Sequence, residues 1–211
     1  MDSNFLRKSA LAQLGLAGQK PGARGAAGVV MGEHPFRAIV NLRGKPDDAA
    51  FMAAAEKALG AALPTTPNTA AAGNDTTIVW LGPEEWWVIF ASDEQAAERA
   101  MADGLRVSLD GQLFAAVEVG ESRTCIRVAG PRARDLLAKG CSLDLHPSVF
   151  GGPGHSAQSL IAKAPAVLHR VADDADGHAV FEIYVLRSFA EYLWLWLADA
   201  AAEYGLAVEA A

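Results

Sequence analysis

The chain has 211 residues, 51% hydrophobic and 20% charged, a balance that supports a packed core and excludes a largely disordered polymer. That length suits one large domain or two small fused ones. A formal net charge of −7, with basic residues scattered rather than striped, argues against a phosphate backbone as partner.

Residues 1–32 are rich in Gly and Ala and read as a flexible N-terminal arm with little to bury. Its apolar cluster of Leu11, Leu14 and Leu16 sets Leu11 and Leu14 on one helical side, which suits a short anchor onto another surface. Residues 36–42 alternate Phe36, Ala38, Val40 and Leu42 against Arg37, Ile39 and Asn41, which predicts a strand. Asp47 and Asp48 then sit at the positive end of an Ala-rich helix that runs to Leu59, with Gly60 as its stop. Pro64 and Pro67 mark a loop, and residues 76–81 and 86–90, joined by Gly82-Pro83-Glu84-Glu85, read as a hairpin. Ser92 is placed as an N-cap with Gln95 three residues on, which predicts a helix over 93–103 ending at Gly104. A strand over 113–119 closes this half.

The second half opens with a strand over 122–128, followed by Gly130-Pro131 and a helix through Arg134, Leu136, Leu137 and Lys139 that Gly140 ends. Gly151-Gly152-Pro153-Gly154 is a loop, and residues 157–162, 166–171 and 180–186 read as strands. Ser188 is placed as the cap of a closing helix over 189–204, before Gly205. The two halves share an order of strand, Gly/Pro turn, helix, loop, strands and helix, which implies duplication. The expected architecture is α+β: duplicated split βαβ, ferredoxin-like halves, with the first (βαββαβ) over 33–119 and the second (βαββα) over 120–211.

In a split βαβ layer the helices cover one face of the sheet, so the other face of a free-standing copy should be polar. Here adjacent strand residues, Trp86 with Trp87, Val88 with Ile89, and Tyr184 with Val185, put apolar bulk on both faces. Along the closing helix, Phe189, Leu193, Trp196, Leu197 and Ala200 already make a stripe, and Trp194 and Leu195 fall off it. Two accounts compete: the halves pack sheet to sheet, which suits Trp86 and Trp87, or a partner covers the surface, which suits Trp194. The candidate partner interface is therefore Leu11, Leu14, Trp86, Trp87, Trp194 and Leu195.

Motifs that carry chemistry are scarce. Cys125 and Cys141 lie too far apart for a CxxC motif, and His34, His146, His155, His169 and His178 show no recognised ligand spacing, so no metal site is expected. The Gly151 to Ser156 segment lacks the endings of a phosphate loop, Ser122, Ser156 and Ser159 have no nucleophile elbow, and Asp173-Asp174 and Glu84-Glu85 sit in turns. No catalytic residue is singled out. With no apolar stretch of signal-peptide or membrane-spanning length, a soluble cytoplasmic protein is expected.

Three segments of the second half, SRTCIRVAGPRARDLLAKGCSLDLHPSVF, PGHSAQSLIAKAPAVLHRV and FEIYVLRSFAEYLWLWL, closely resemble the gamma subunit of heterotetrameric sarcosine oxidases. NLRGKPDD, LPTTPNT and LGPEEWWVIF in the first half are similar to the same family in the same order. The V-x-G-P-x-A-x-x-L-L stretch over 128–137 is similar in turn to the folate-binding module of the glycine-cleavage T-protein. The resemblance implies a complex of alpha, beta, gamma and delta chains that oxidatively demethylates sarcosine to glycine, with tetrahydrofolate as one-carbon acceptor. FAD, FMN and NAD would belong to alpha and beta and zinc to delta, while gamma, without activity of its own, packs against alpha. Ser156 and Ser159 stand where Cys and Thr are more usual in the family. A stand-alone folate-binding or aminomethyltransferase-like module is the alternative.

Overall fold

The computed structural model describes residues 7–16, 27–90 and 95–209. In chain order the elements are β1 (Val29–His34), β2 (Ala38–Gly44), α1 (Ala49–Leu59), β3 (Ala70–Ala72), β4 (Thr76–Gly82), β5 (Glu85–Phe90), α2 (Gln95–Ser108) and β6 (Phe114–Glu118). There follow β7 (Arg123–Ala129), α3 (Ala133–Ala138), β8 (His155–Ile161), β9 (Ala164–Asp173), β10 (Ala179–Leu186), α4 (Arg187–Ala201) and β11 (Leu206–Val208). Among the described residues these strands form two sheets, ordered β3-β4-β5-β2-β6 and β11-β1-β7-β10-β9-β8.

In the first sheet β5 pairs antiparallel with both β2 and β4, so the parallel strands of the β2-α1-β4 crossover are split by an inserted neighbour. This is the expected split βαβ arrangement, and β10 lies between β7 and β9 in the same way in the second sheet. Local signals explain much of it. The Asp48 side chain accepts from the backbone N–H groups of Ala50 and Phe51 and caps α1, and Gly60 closes the helix at φ 75, a conformation that favours glycine. Phe36, at φ 61, turns the chain before β2, so that strand begins at Ala38 instead of Phe36.

Three differences from the sequence expectation have physical causes. Helix α2 runs through Gly104 to Ser108, because Ala102, Leu105 and Leu109 continue one buried stripe and a missing Cβ does not break it. The Ser92 cap lies outside the described residues. Helix α4 begins at Arg187 with Leu186 as N-cap, so Ser188 is already inside the first turn. The third difference is topological: Val29–His34 is strand, not arm, and it inserts between β11 and β7, pairing parallel with the first and antiparallel with the second. It takes the position in the second sheet that β6 takes in the first, and it displaces β11 to the edge.

The side chains sort into layers by strand alternation. Helices α1 and α2 pack on one face of the first sheet through Phe51, Ala55, Leu105, Val40, Leu42, Trp86 and Val88. Helices α3 and α4 cover the second sheet through Leu136, Leu137, Leu193, Leu197, Ile126, Phe181 and Ile183. The opposite faces of the two sheets meet each other: Ile39, Val79, Leu81, Trp87 and Ile89 pack against Cys125, Val167 and Tyr184. The result is a helix–sheet–sheet–helix stack, and Trp86 and Trp87 belong to successive layers of it. Met31 on β1 is fully buried under the second helix layer. Met31→Ala should therefore cost about 2–5 kcal/mol in urea denaturation; a change within about 0.5 kcal/mol would place residues 29–32 outside the core.

Candidate functional site

A cluster of charged and polar side chains lies between the two sheets, in an otherwise apolar seam. Arg37 precedes β2, His34 ends β1, and Glu182 and Tyr184 project from alternate positions of β10 toward the first sheet. Arg37 Nη2 donates to Glu182 Oε1 at 3.0 Å and to His34 Nδ1 at 2.9 Å. The Tyr184 hydroxyl donates to Glu182 Oε2. His169 on β9 lies across the strand register from Glu182 and is almost wholly buried. At the apolar end of the seam, Trp87 meets Tyr184 edge to face, with ring centroids 6.2 Å apart.

Burial alone would raise the Glu182 carboxyl, yet the His34 side chain, the Arg37 charge and the Tyr184 hydroxyl outweigh it and hold the group down to about 2. Burial also opposes the Arg37 charge, but Glu182 beside it keeps the guanidinium above its ordinary value. His169 moves to about 4, chiefly because burial penalises its charged form. Burial likewise pushes the Cys125 thiol and the Tyr184 hydroxyl well above their ordinary values. At neutral pH the site thus holds an ionised acid paired with an arginine, a neutral His169, a protonated thiol and a protonated phenol. That suits fastening two sheets better than nucleophilic chemistry, which needs the thiolate.

Other polar groups tie the halves together at their edges. Glu98 of α2 is buried and accepts from the backbone N–H groups of Gly120 at 2.6 Å and Ile39 at 3.3 Å, pinning the connector between the halves to β2. Ser156 Oγ donates to Thr69 O at 3.0 Å, and Gln158 Nε2 donates to Leu81 O at 2.8 Å. The Gly151 to Gly154 loop ends in a carbonyl that accepts from Ala70 N at 2.6 Å. Asp174, Asp176 and His178 bring ligand-type atoms within 4.8 Å of one another in the β9–β10 turn. Asp174 Oδ1 is already engaged there by the N–H groups of Asp176 and His178.

The candidate interface residues fare differently. Trp86 and Trp87 are interior, one beneath the helices and one between the sheets, so the sheet-to-sheet account explains them. Trp194 is 4% exposed and Leu195 53%. Placing Trp194 on a contact surface is therefore corrected: the buried face of α4 runs through Ala190, Leu193, Trp194, Leu197 and Ala201, rotated from the stripe read off the sequence. Trp196 is the partly covered one, its ring set over Gly140, where any Cβ would clash at 2.4 Å. Leu11 and Leu16 are buried and Leu14 partly buried against the chain's own second half, so the anchor docks internally. Gln13 Nε2 donating to Glu191 Oε2 at 3.2 Å and Arg187 Nη2 donating to Lys8 O at 2.6 Å hold this segment along α4. Exposed apolar side chains among the described residues that the sequence did not single out are Val107, Leu113, Val117, Val149, Leu160 and Tyr192.

Sequence reasoning missed Glu182, Arg37, His34 and His169 as a group. One signal was available: Glu182 and His169 each interrupt an apolar strand at positions whose neighbours face both sides.

The back-to-back, duplicated split βαβ stack defines a fold class. It is shared with the glycine cleavage system aminomethyltransferase T from Bartonella henselae, at TM-score 0.68 and 15% identity over 97% of this chain and 59% of that one. Within that class the sequence is more specific. Residues 43–203 match the sarcosine oxidase, gamma subunit family, and the chain belongs to it. The sarcosine oxidase gamma subunit of an Arthrobacter sp. is 30% identical over 207 residues, covering 97% of this chain and 94% of that protein. That of Corynebacterium sp. strain U-96 is 29% identical over 208 residues, covering 98% and 96%. A chain of the heterotetrameric sarcosine oxidase from Corynebacterium sp. U-96, solved with pyrrole 2-carboxylate, superposes at TM-score 0.79 with 27% identity, over 94% of this chain and 96% of that one.

Two outcomes follow. Trp194→Ala should destabilise the fold by about 3–5 kcal/mol, whereas Leu195→Ala should stay within about 0.5 kcal/mol, as read by urea denaturation of the isolated chain. Because the folded chain holds His169 at about 4 and the unfolded chain near 6.5, the unfolded state takes up the proton first as pH falls. Glu182, at about 2 against 4.5, adds a loss of the same sign at lower pH. Stability should fall by about 3 kcal/mol between pH 6.5 and 4 from His169 alone, and His169→Asn should flatten that limb of the pH–stability curve.

Proposed function

We propose that this chain is the non-catalytic gamma subunit of a heterotetrameric sarcosine oxidase, packing against the alpha subunit in a complex completed by beta and delta. The assembly oxidatively demethylates sarcosine to glycine with tetrahydrofolate as one-carbon acceptor, in the cytoplasm. FAD, FMN, NAD, tetrahydrofolate and zinc reside on the partner subunits.

The observation that carries this reading is that the acid, the phenol and the guanidinium at the polar end of the seam are spent on one another. Arg37 and Tyr184 both close on Glu182, and burial holds Cys125 and Tyr184 in their protonated forms. Glu182 and Arg37, closed on each other and on Tyr184, leave neither group free to grip a pterin or glutamate at that end of the seam. Exposed Leu113, Leu160 and Leu195 add apolar surface of the kind subunit contacts use.

Co-expression with the alpha polypeptide tests the proposal. The tagged chain should bring alpha through affinity and size-exclusion steps, and its yield should rise when alpha is present. Separate elution of the two, with equal solubility alone and together, would refute it. Micromolar binding of tetrahydrofolate by the isolated chain in calorimetry would favour a folate-binding, aminomethyltransferase-like module instead.

A further inference from the structure

The buried guanidinium nitrogens separate one arginine from the others. Arg37 Nε and Arg170 Nε have no acceptor, but each of those side chains is held by its terminal nitrogens, the first on Glu182 and the second on Asp173 and the Ala172 carbonyl. Arg123 Nε also lacks an acceptor, and its side chain makes no hydrogen bond or ion pair with any other described residue. Its guanidinium lies over the Trp87 ring, 5.2 Å from the centroid, which orients it without neutralising it. Partial burial lowers its basicity, and no acidic side chain among the described residues offsets that effect. Buried polar groups are ordinarily satisfied, and an exception of this kind needs a cause.

The surroundings supply one. Arg123 stands in an open trough of about 440 Å³ where the two sheets diverge, lined also by Trp87, Gln158, Leu160, Pro165 and Tyr184. Leu160, 55% exposed, and Pro165 form an apolar rim on the β8–β9 edge. Gln158 is turned inward by its bond to Leu81 O, and Tyr184 by its bond to Glu182. The trough therefore offers one unpaired cation on a rigid aromatic floor, with apolar contact beside it.

We propose that Arg123 is a docking point for a carboxylate of the partner subunit: an acidic side chain or chain terminus enters the trough, and a neighbouring apolar side chain covers Leu160 and Pro165. This inference rests on the subunit reading above. A polypeptide is the occupant that fits, because the trough is open along its length and would leave a small free carboxylate largely exposed, while a chain bearing the acid covers the apolar rim as well. The charge match follows the usual pattern in which a guanidinium recognises a carboxylate with two parallel hydrogen bonds.

The test uses the co-expressed complex with Arg123→Gln, Arg123→Glu and Arg123→Lys, and with Leu160→Asp on the rim, each chain's own urea midpoint serving as the folding control. With folding retained, Arg123→Gln and Leu160→Asp should weaken association about tenfold or more, and Arg123→Glu further, while Arg123→Lys keeps part of it. The wild-type complex should also lose affinity with salt more steeply than the Arg123→Gln complex. A complex with Arg123→Glu as tight and as salt-dependent as wild type overturns the docking point and leaves the subunit reading standing. Failure of the wild-type chain to associate at all overturns the subunit reading, and this inference with it.

Discussion

Everything in this molecule depends on the contact between the two sheets. Each sheet carries apolar residues on both faces, and its helices shield only one, so neither half is stable with its second face in water. Packing Ile39, Val79, Trp87 and Ile89 against Cys125, Val167 and Tyr184 removes both exposed faces at once. Duplication makes this natural, because two similar sheets present matching inner faces. The seam then dictates where polar groups can sit and what they can do.

The polar end of that seam shows how charge is tolerated there. An isolated carboxylate in such a place would be neutralised or excluded. Glu182 instead receives a guanidinium on one oxygen and a phenol on the other, and remains ionised. Arg37 comes from the first half and Glu182 from the second, so the ion pair also sets how the sheets register against each other. Removing either partner would strand the other in a low-dielectric setting, which makes the pair more a device for specificity than a source of net stability. Glu98 plays the corresponding part at the connector, spending its carboxylate on two backbone donors instead of on chemistry. Arg123 is the contrasting case: a partly buried guanidinium whose Nε finds no acceptor among the described residues.

The interleaving of the N-terminal strand gives the duplication its asymmetry. In the first sheet the edge beyond β2 is filled by β6, the strand that follows α2; in the second, β1 fills the equivalent place and the strand after α4 moves outward. The two halves are thereby joined by hydrogen-bonded strand pairing as well as by side-chain packing, and the Leu11 segment laid along α4 extends the same bond between chain start and chain end.

Local chemistry decided what the sequence alone could determine. The Asp48 cap and Gly60 stop of α1, the hairpin around Gly82 and Pro83, the alternation in β5 and β10 and the repeated element order all depend on neighbours within a few residues, and each was legible. So was the excess of apolar strand faces, although not what covered them. Tertiary structure decided the rest. Val29–His34 is a short run in a Gly-rich stretch, and only pairing with strands almost a hundred or more residues away makes it part of a sheet. Trp194 and Leu195 are adjacent letters of one helix, and which of them faces inward was set by the sheet and the N-terminal segment packed around α4. The Arg37–Glu182 pair spans the duplication and the solitude of Arg123 is a matter of what lies near it in space, and neither property is local to any stretch of chain. Periodicity reports the faces an element has; burial and pairing are properties of the folded whole.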